Sequence, residues 1–131
     1  MFNADEDATV KTTTIEVEPV SVNGKAVECK ITGDDVADDA IFLGLNQGYD
    51  LTFKLVNAGS LVFHQAKPFC NQKGKCPPEL PGGSAHNPYS VTPISPTSIA
   101  VHCSPVNLRQ VAHYRLNFDD GSSCDPIIIH D

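Results

Sequence analysis

Apolar and polar residues alternate with a period of two through most of the chain, the pattern of strands with one face buried. Tyr49-Asp50-Leu51-Thr52-Phe53-Lys54-Leu55 shows it without a break, odd positions apolar and even positions polar. Val27-Glu28-Cys29-Lys30-Ile31 and Ala112-His113-Tyr114-Arg115-Leu116-Asn117-Phe118 repeat it. Ile99, Val101 and Cys103 form one face of a further strand, with Ala100 and His102 on the other. Residues 12–22, rich in Thr, Ile and Val, predict a long first strand. Residues 61–64 and 127–130 predict shorter ones. Asn23-Gly24 lies between the first two strands and is a hairpin-turn signal. Gly59, in the turn Asn57-Ala58-Gly59-Ser60, can take a positive φ.

No segment keeps helical periodicity over ten residues, and residues 36–45 fit either a turn of helix or a short extra strand. About seven short strands flanked by turn residues predict an all-β fold, an antiparallel β-sandwich. Its last two strands would form a hairpin over Asp119-Asp120-Gly121-Ser122-Ser123. Phe53, Phe63, Leu116 and Phe118 belong to its core, and Tyr114 either packs there or ties a loop to its strand through its hydroxyl.

Composition narrows the picture. The 131 residues suit one domain, which at this size buries roughly two-thirds of its unfolded surface. With 40% apolar and 19% charged residues, the chain is neither a disordered tail nor a fibre. Its net charge of −7, with only Lys67, Lys73 and Lys75 clustered, argues against nucleic acid and against an anionic membrane surface. No apolar run is long enough to span a bilayer. The acidic start, with Asp5, Glu6 and Asp7, does not read as a secretory signal. A cytoplasmic location is therefore expected, with residues 1–9 a flexible terminus.

One region breaks the alternation. Residues 68–96 hold seven of the ten prolines, which lack the N–H that a ladder requires, so little of this stretch can be central sheet. A proline-rich loop over 67–97, with a brief edge strand at 89–92, is the expected recognition surface.

The two ends carry a resemblance. The first strand contains Ile15-Glu16-Val17-Glu18-Pro19-Val20 and the last opens Asp125-Pro126-Ile127-Ile128-Ile129. A Glu-Pro in the opening strand and an Asp-Pro before the last resemble the bacterial DP-EP family, and the alternation over 49–69 is similar to it too. The resemblance covers nearly the whole chain in strand order, and its fixed motifs are the two dipeptides. It implies an immunoglobulin-like sandwich of seven strands in two sheets with Greek-key connections, and it assigns no functional residue. On physical grounds Pro19 and Pro126 suit a sheet edge or the first residue of a strand.

Two groups of side chains could hold a metal. Asp34, Asp35, Asp38 and Asp39 crowd one loop and Asp119 and Asp120 another, which in an immunoglobulin-like sandwich share one end; such oxygens suit calcium. The bland alternative is that these aspartates cap turns. Cys70 and Cys76, with His64 and His86 nearby, offer sulfur and nitrogen for zinc, yet five intervening residues exceed the usual spacing. A small-loop disulfide or plain thiols are the other readings. A blue-copper centre is disfavoured because Met1 is the only methionine and His102-Cys103, adjacent on a strand, point to opposite faces. Cys29 and Cys103 read as buried thiols, His113 as outward, and His130 as nearly terminal. With no catalytic motif, no cofactor is expected and the chain reads as a binding or assembly module whose partner is unknown, a protein being the candidate.

Overall fold

The computed structural model describes residues 10–22, 25–72, 74–78 and 88–131. Its elements are β1 (Lys11–Val22), β2 (Lys25–Thr32), β3 (Val36–Ala37), β4 (Ala40–Leu43), β5 (Tyr49–Leu55), β6 (Phe69–Asn71), β7 (Tyr89–Ser95), β8 (Ser98–Cys103), β9 (Gln110–Asn117), β10 (Ser123–Cys124) and β11 (Ile127–His130). No helix occurs among the described residues.

Alternation does what it should locally. In β5 every odd position is buried and Asp50 and Lys54 face solvent. In β8, Ile99, Val101 and Cys103 are buried while His102 is exposed. Residues 36–45 resolve into β3 and β4, joined by Asp38-Asp39 with Ala37 paired to Ala40. Both aspartates have positive φ, 53° and 63°, the geometry of a tight hairpin turn. Asp tolerates this conformation better than most residues.

The first sheet runs β2-β1-β5-β8-β7, with β1 and β5 parallel and every other pair antiparallel. In the second sheet β9 is central. Ser123 pairs with Asn117 and Ile127 with His113 in one continuous register, so β10 and β11 are two halves of a single partner of β9. The break falls at Asp125-Pro126, where Pro126 has no N–H to give. Leu116 meets Cys124 on one side and Phe69 of β6 on the other. Beyond β11 lie β4, parallel to it, and then β3.

Both sheets are thus mixed, which corrects the wholly antiparallel plan expected above: alternation tells a strand which face is buried but not which strand lies beside it. The residues 61–64 also form no strand, since only Phe63 makes a bridge, to Phe118. Pro19 pairs with Cys29 beyond the last β1–β5 pair, Val17 with Leu55, so β1 is an edge where its proline falls. Asn23-Gly24 and residues 1–9 lie outside the described residues.

Between the sheets, Phe53, Phe69 and Tyr114 form the centre of the core, with ring centroids 4.8 to 6.1 Å apart. Phe63 stacks on Phe118 at 5.8 Å. Two disulfides close the structure. Cys29–Cys124 joins β2, an edge of the first sheet, to β10 of the second. Cys70–Cys76 closes a small hairpin against β9. This corrects the reading of Cys29 as a free core thiol: its inward face, on an edge strand, is where a bond can cross to the opposite sheet. Cys103 remains the free, buried cysteine.

Candidate functional site

The metal readings do not gain a site. Among the described residues no three His, Cys, Asp or Glu side chains come together as a metal would require. The aspartates serve turns instead. Asp38 and Asp39 form the β3–β4 hairpin turn. Asp119 Oδ1 accepts from the Val62 N–H at 3.4 Å, and Asp120 Oδ1 from the Ser122 N–H at 2.8 Å. Phe42 N–H bonds the Asp35 carbonyl at 2.7 Å, and the Gly33 carbonyl bonds Val36 N–H across Asp34 and Asp35. For zinc, Cys70 and Cys76 are consumed by their disulfide, so neither supplies a thiolate. His64 Nδ1 accepts from the N–H groups of Ala66 and Lys67 at 3.2 and 3.0 Å, which spends that lone pair on shaping the loop. His86 lies outside the described residues. His102 and Cys103 do point apart: His102 Nδ1 sits 2.7 Å from Asp50 Oδ1 on the outer face, and Cys103 is inside.

A buried polar group lies at one end of the core. Tyr89 opens β7, Cys103 closes β8 as its paired neighbour, and His130 closes β11. The Tyr89 hydroxyl lies 2.6 Å from His130 Nε2, and His130 is only 1% exposed. His130 was read from the sequence as nearly terminal; the alternation through Ile128 carries the signal that it faces inward. Burial pushes the Cys103 thiol up to about 12, so it is protonated at neutral pH and packs as a small hydrophobe. Burial, and next to it the nearby Cys103, raises the Tyr89 phenol as well.

Burial also holds the His130 imidazole below its ordinary value of 6.5. Above that value neither the folded nor the unfolded state binds the proton, and the stabilisation is complete. As the pH falls below it the unfolded chain protonates first, so stability is lost toward the folded pKa. Melting temperature should therefore drop as the pH falls below about 6.5, and His130→Gln should flatten part of that slope. Equal slopes for the two proteins would contradict the assignment.

Tyr114 is the opposite case. Its hydroxyl is fully buried and has no hydrogen-bond partner among the described residues, so it ties no loop and serves packing alone. Burial first, and then neighbouring Tyr89, raise its phenol well above its ordinary value. An unsatisfied buried hydroxyl costs roughly 1–3 kcal/mol. Tyr114→Phe is accordingly expected to leave stability unchanged or to raise it by about 1 kcal/mol, as read by urea denaturation.

An apolar cleft lies beside β7. A depression of about 200 Å³ is lined by Val62, Phe63, His64, Gln65, Pro68, Pro93, Ile94, Ser95, Pro96 and Ile99. A second, also about 200 Å³, adds Ala66, Phe69, Cys76, Pro77 and Val91, and shares Gln65, Pro68 and Pro93 with the first. The two form one groove between edge strand β7 and the segment that leads into β6. Phe63 N–H bonds the Pro96 carbonyl at 2.9 Å, fixing one end, and the Cys70–Cys76 hairpin borders the other. Ile94 stands 58% exposed on its rim. Among the described residues no carboxylate lines it, whereas Glu28, Asp39 and Asp125 line the polar depression around Cys29–Cys124, and Glu16 and Asp34 the one beside β1. Lys67 sits between the lining residues Ala66 and Pro68, and Lys75 precedes Cys76. The expected proline-rich surface therefore contributes walls, not just a loop. No family model and no curated protein matches the chain.

Proposed function

We propose that the protein is a non-catalytic binding module that holds an extended, apolar peptide segment with an acidic flank along the groove beside β7. The observation that supports it is the groove itself: apolar, walled by four prolines (68, 77, 93 and 96) and, among the described residues, free of lining carboxylates in a chain of net charge −7. Apolar walls favour burial of aliphatic or aromatic side chains. Prolines hold the walls in shape, so little conformational freedom is lost when a ligand docks. Lys67 beside it favours an acidic residue at one end of the segment. The same reading is non-catalytic because the free thiol is protonated and enclosed and His130 is buried against Tyr89.

The Glu18-Pro19 and Asp125-Pro126 dipeptides support placing the chain with bacterial DP-EP proteins. The immunoglobulin-like, Greek-key description rests on that resemblance, and the parallel β1–β5 and β4–β11 pairs depart from an antiparallel plan. No described helix is long and apolar enough to cross a membrane. Two disulfides support an oxidising compartment, in place of the cytoplasm expected from the N-terminal sequence.

Panning a random peptide display library on the immobilised, oxidised chain tests the reading. Enriched sequences should combine apolar and acidic positions and should lose binding to an Ile94→Glu variant. No enrichment, or equal binding to that variant, would sink it.

A further inference from the structure

Strand β7 is an edge: among the described residues it pairs with β8 alone. In an antiparallel pair, alternate residues turn both main-chain groups to the neighbour, and those between turn them away. Ser104 N–H donates to the Pro88 carbonyl at 2.8 Å, in the register that pairs Ser90 with His102 and Thr92 with Ala100. Even positions of β7 therefore spend their main-chain groups on β8. The far side of β8 agrees. Leu55 N–H donates to the Thr97 carbonyl at 2.8 Å, which turns the odd positions of β8 toward β5 and leaves its even positions for β7.

Val91 and Pro93 consequently aim their main-chain groups off the sheet. A proline at 93 fits that place, since the N–H it lacks would have met no strand. What the edge offers is the Val91 N–H, the Val91 carbonyl and the Pro93 carbonyl, and nothing among the described residues bonds them. Both residues also line the groove. An apolar small molecule lying there would leave all three groups to water. An extended main chain would satisfy them, because its own N–H and C=O groups recur every second residue, about 7 Å apart. The two outward carbonyls of β7 thus match two N–H groups of a ligand, with one residue between them.

We propose that the peptide held in the groove adds to β7 as one short extra strand; this rests on the peptide-binding reading above and says how the peptide is recognised. Two of its N–H groups, two residues apart, donate to the Val91 and Pro93 carbonyls, and one of its carbonyls accepts from the Val91 N–H. Such main-chain bonds supply affinity whatever the sequence, while alternate side chains on the groove side supply the selection. The donor missing at Pro93 ends the usable edge. That limit suits one short segment and hinders the edge-to-edge pairing that leads to aggregation.

The test titrates the oxidised full chain against the tightest display-selected peptide, synthesised with a fluorescent label. Methylating the peptide's amide nitrogens one at a time should raise the dissociation constant about tenfold at two positions two residues apart, and less than about threefold at the position between them. Val91→Pro removes the outward N–H and no ladder bond, so it should weaken binding about tenfold while the melting temperature stays near that of the wild type. Val91→Ala keeps the N–H and should bind more tightly than Val91→Pro, which separates the main-chain donor from the side chain. Thr92→Pro removes a ladder donor and should lower the melting temperature. A uniform response along the methylation series, with Val91→Pro binding like the wild type, would overturn strand addition and leave the groove reading standing. A melting temperature lowered as far by Val91→Pro as by Thr92→Pro would overturn the outward placement of Val91, and the proposal with it. A selection that yields no binder would overturn both readings.

Discussion

Replacing Cys29 and Cys124 by alanine together should lower the unfolding free energy by about 4 kcal/mol. Their disulfide spans 95 positions in sequence and ties the first sheet to the second. Without it the unfolded chain regains the freedom of a very long loop, and loop closure of that size is worth about 4–5 kcal/mol. Against a typical domain stability of about 5–15 kcal/mol this decides whether the protein stays folded at elevated temperature. The Cys70–Cys76 disulfide closes a loop with a sequence separation of only 6, so its loss should cost about half as much. Urea denaturation of the two double variants measures the difference. Thiol counting in denaturant without reductant provides the covalent check. Of five cysteines, four are paired, so one reactive thiol, Cys103, is expected, and none in the folded state. Equal costs for the two disulfides would remove the role given to the bond between the sheets.

Phe69→Ala should cost about 3–5 kcal/mol. Phe69 belongs to β6, only three residues long, and is 1% exposed. Its ring lies 4.8 Å from Tyr114, 5.7 Å from Tyr89 and 6.0 Å from Phe53. Alanine there removes one ring from contact with three others and leaves a cavity between strands already committed to other partners, so collapse can recover little. Phe69 also lines the groove, so the same change should weaken peptide binding even where the protein stays folded. Phe69→Leu keeps most of the volume and should recover more than half of the loss in a denaturation series. A cost for Phe69→Ala no larger than that of an exposed substitution such as Leu108→Ala would contradict this view of the core.

What alternation could tell and what it could not is clear from particular strands. β5 was legible to the residue, because one sheet face is buried and the other wet along its whole length. Partners were not legible. Period two fixes the face of a strand and says nothing of its neighbour, so the parallel β1–β5 and β4–β11 pairs had no sequence signal. Cys29 was read correctly as inward and wrongly as free, since nothing local points to a partner 95 positions away. Residues 61–64 failed for another reason: Val62 and Phe63 line the groove and Phe63 bridges Phe118, while His64 caps the following loop with its ring. The prolines at 68, 77, 93 and 96 did mark one side of the groove, but the opposite wall, Val62 to Gln65, carries no such mark. The aspartates looked like ligands because turn formation and cation binding draw on the same short carboxylate side chain.

The central claim, that the groove beside β7 receives an extended peptide, is tested most directly by a heteronuclear NMR titration of the labelled, oxidised chain with a display-selected peptide. Amide shift changes should concentrate at Val62, His64, Gln65, Val91 and Ile94, and leave Thr14, Thr52 and Phe42 unmoved. Changes centred on the outer face of either sheet, with the groove residues silent, would contradict it.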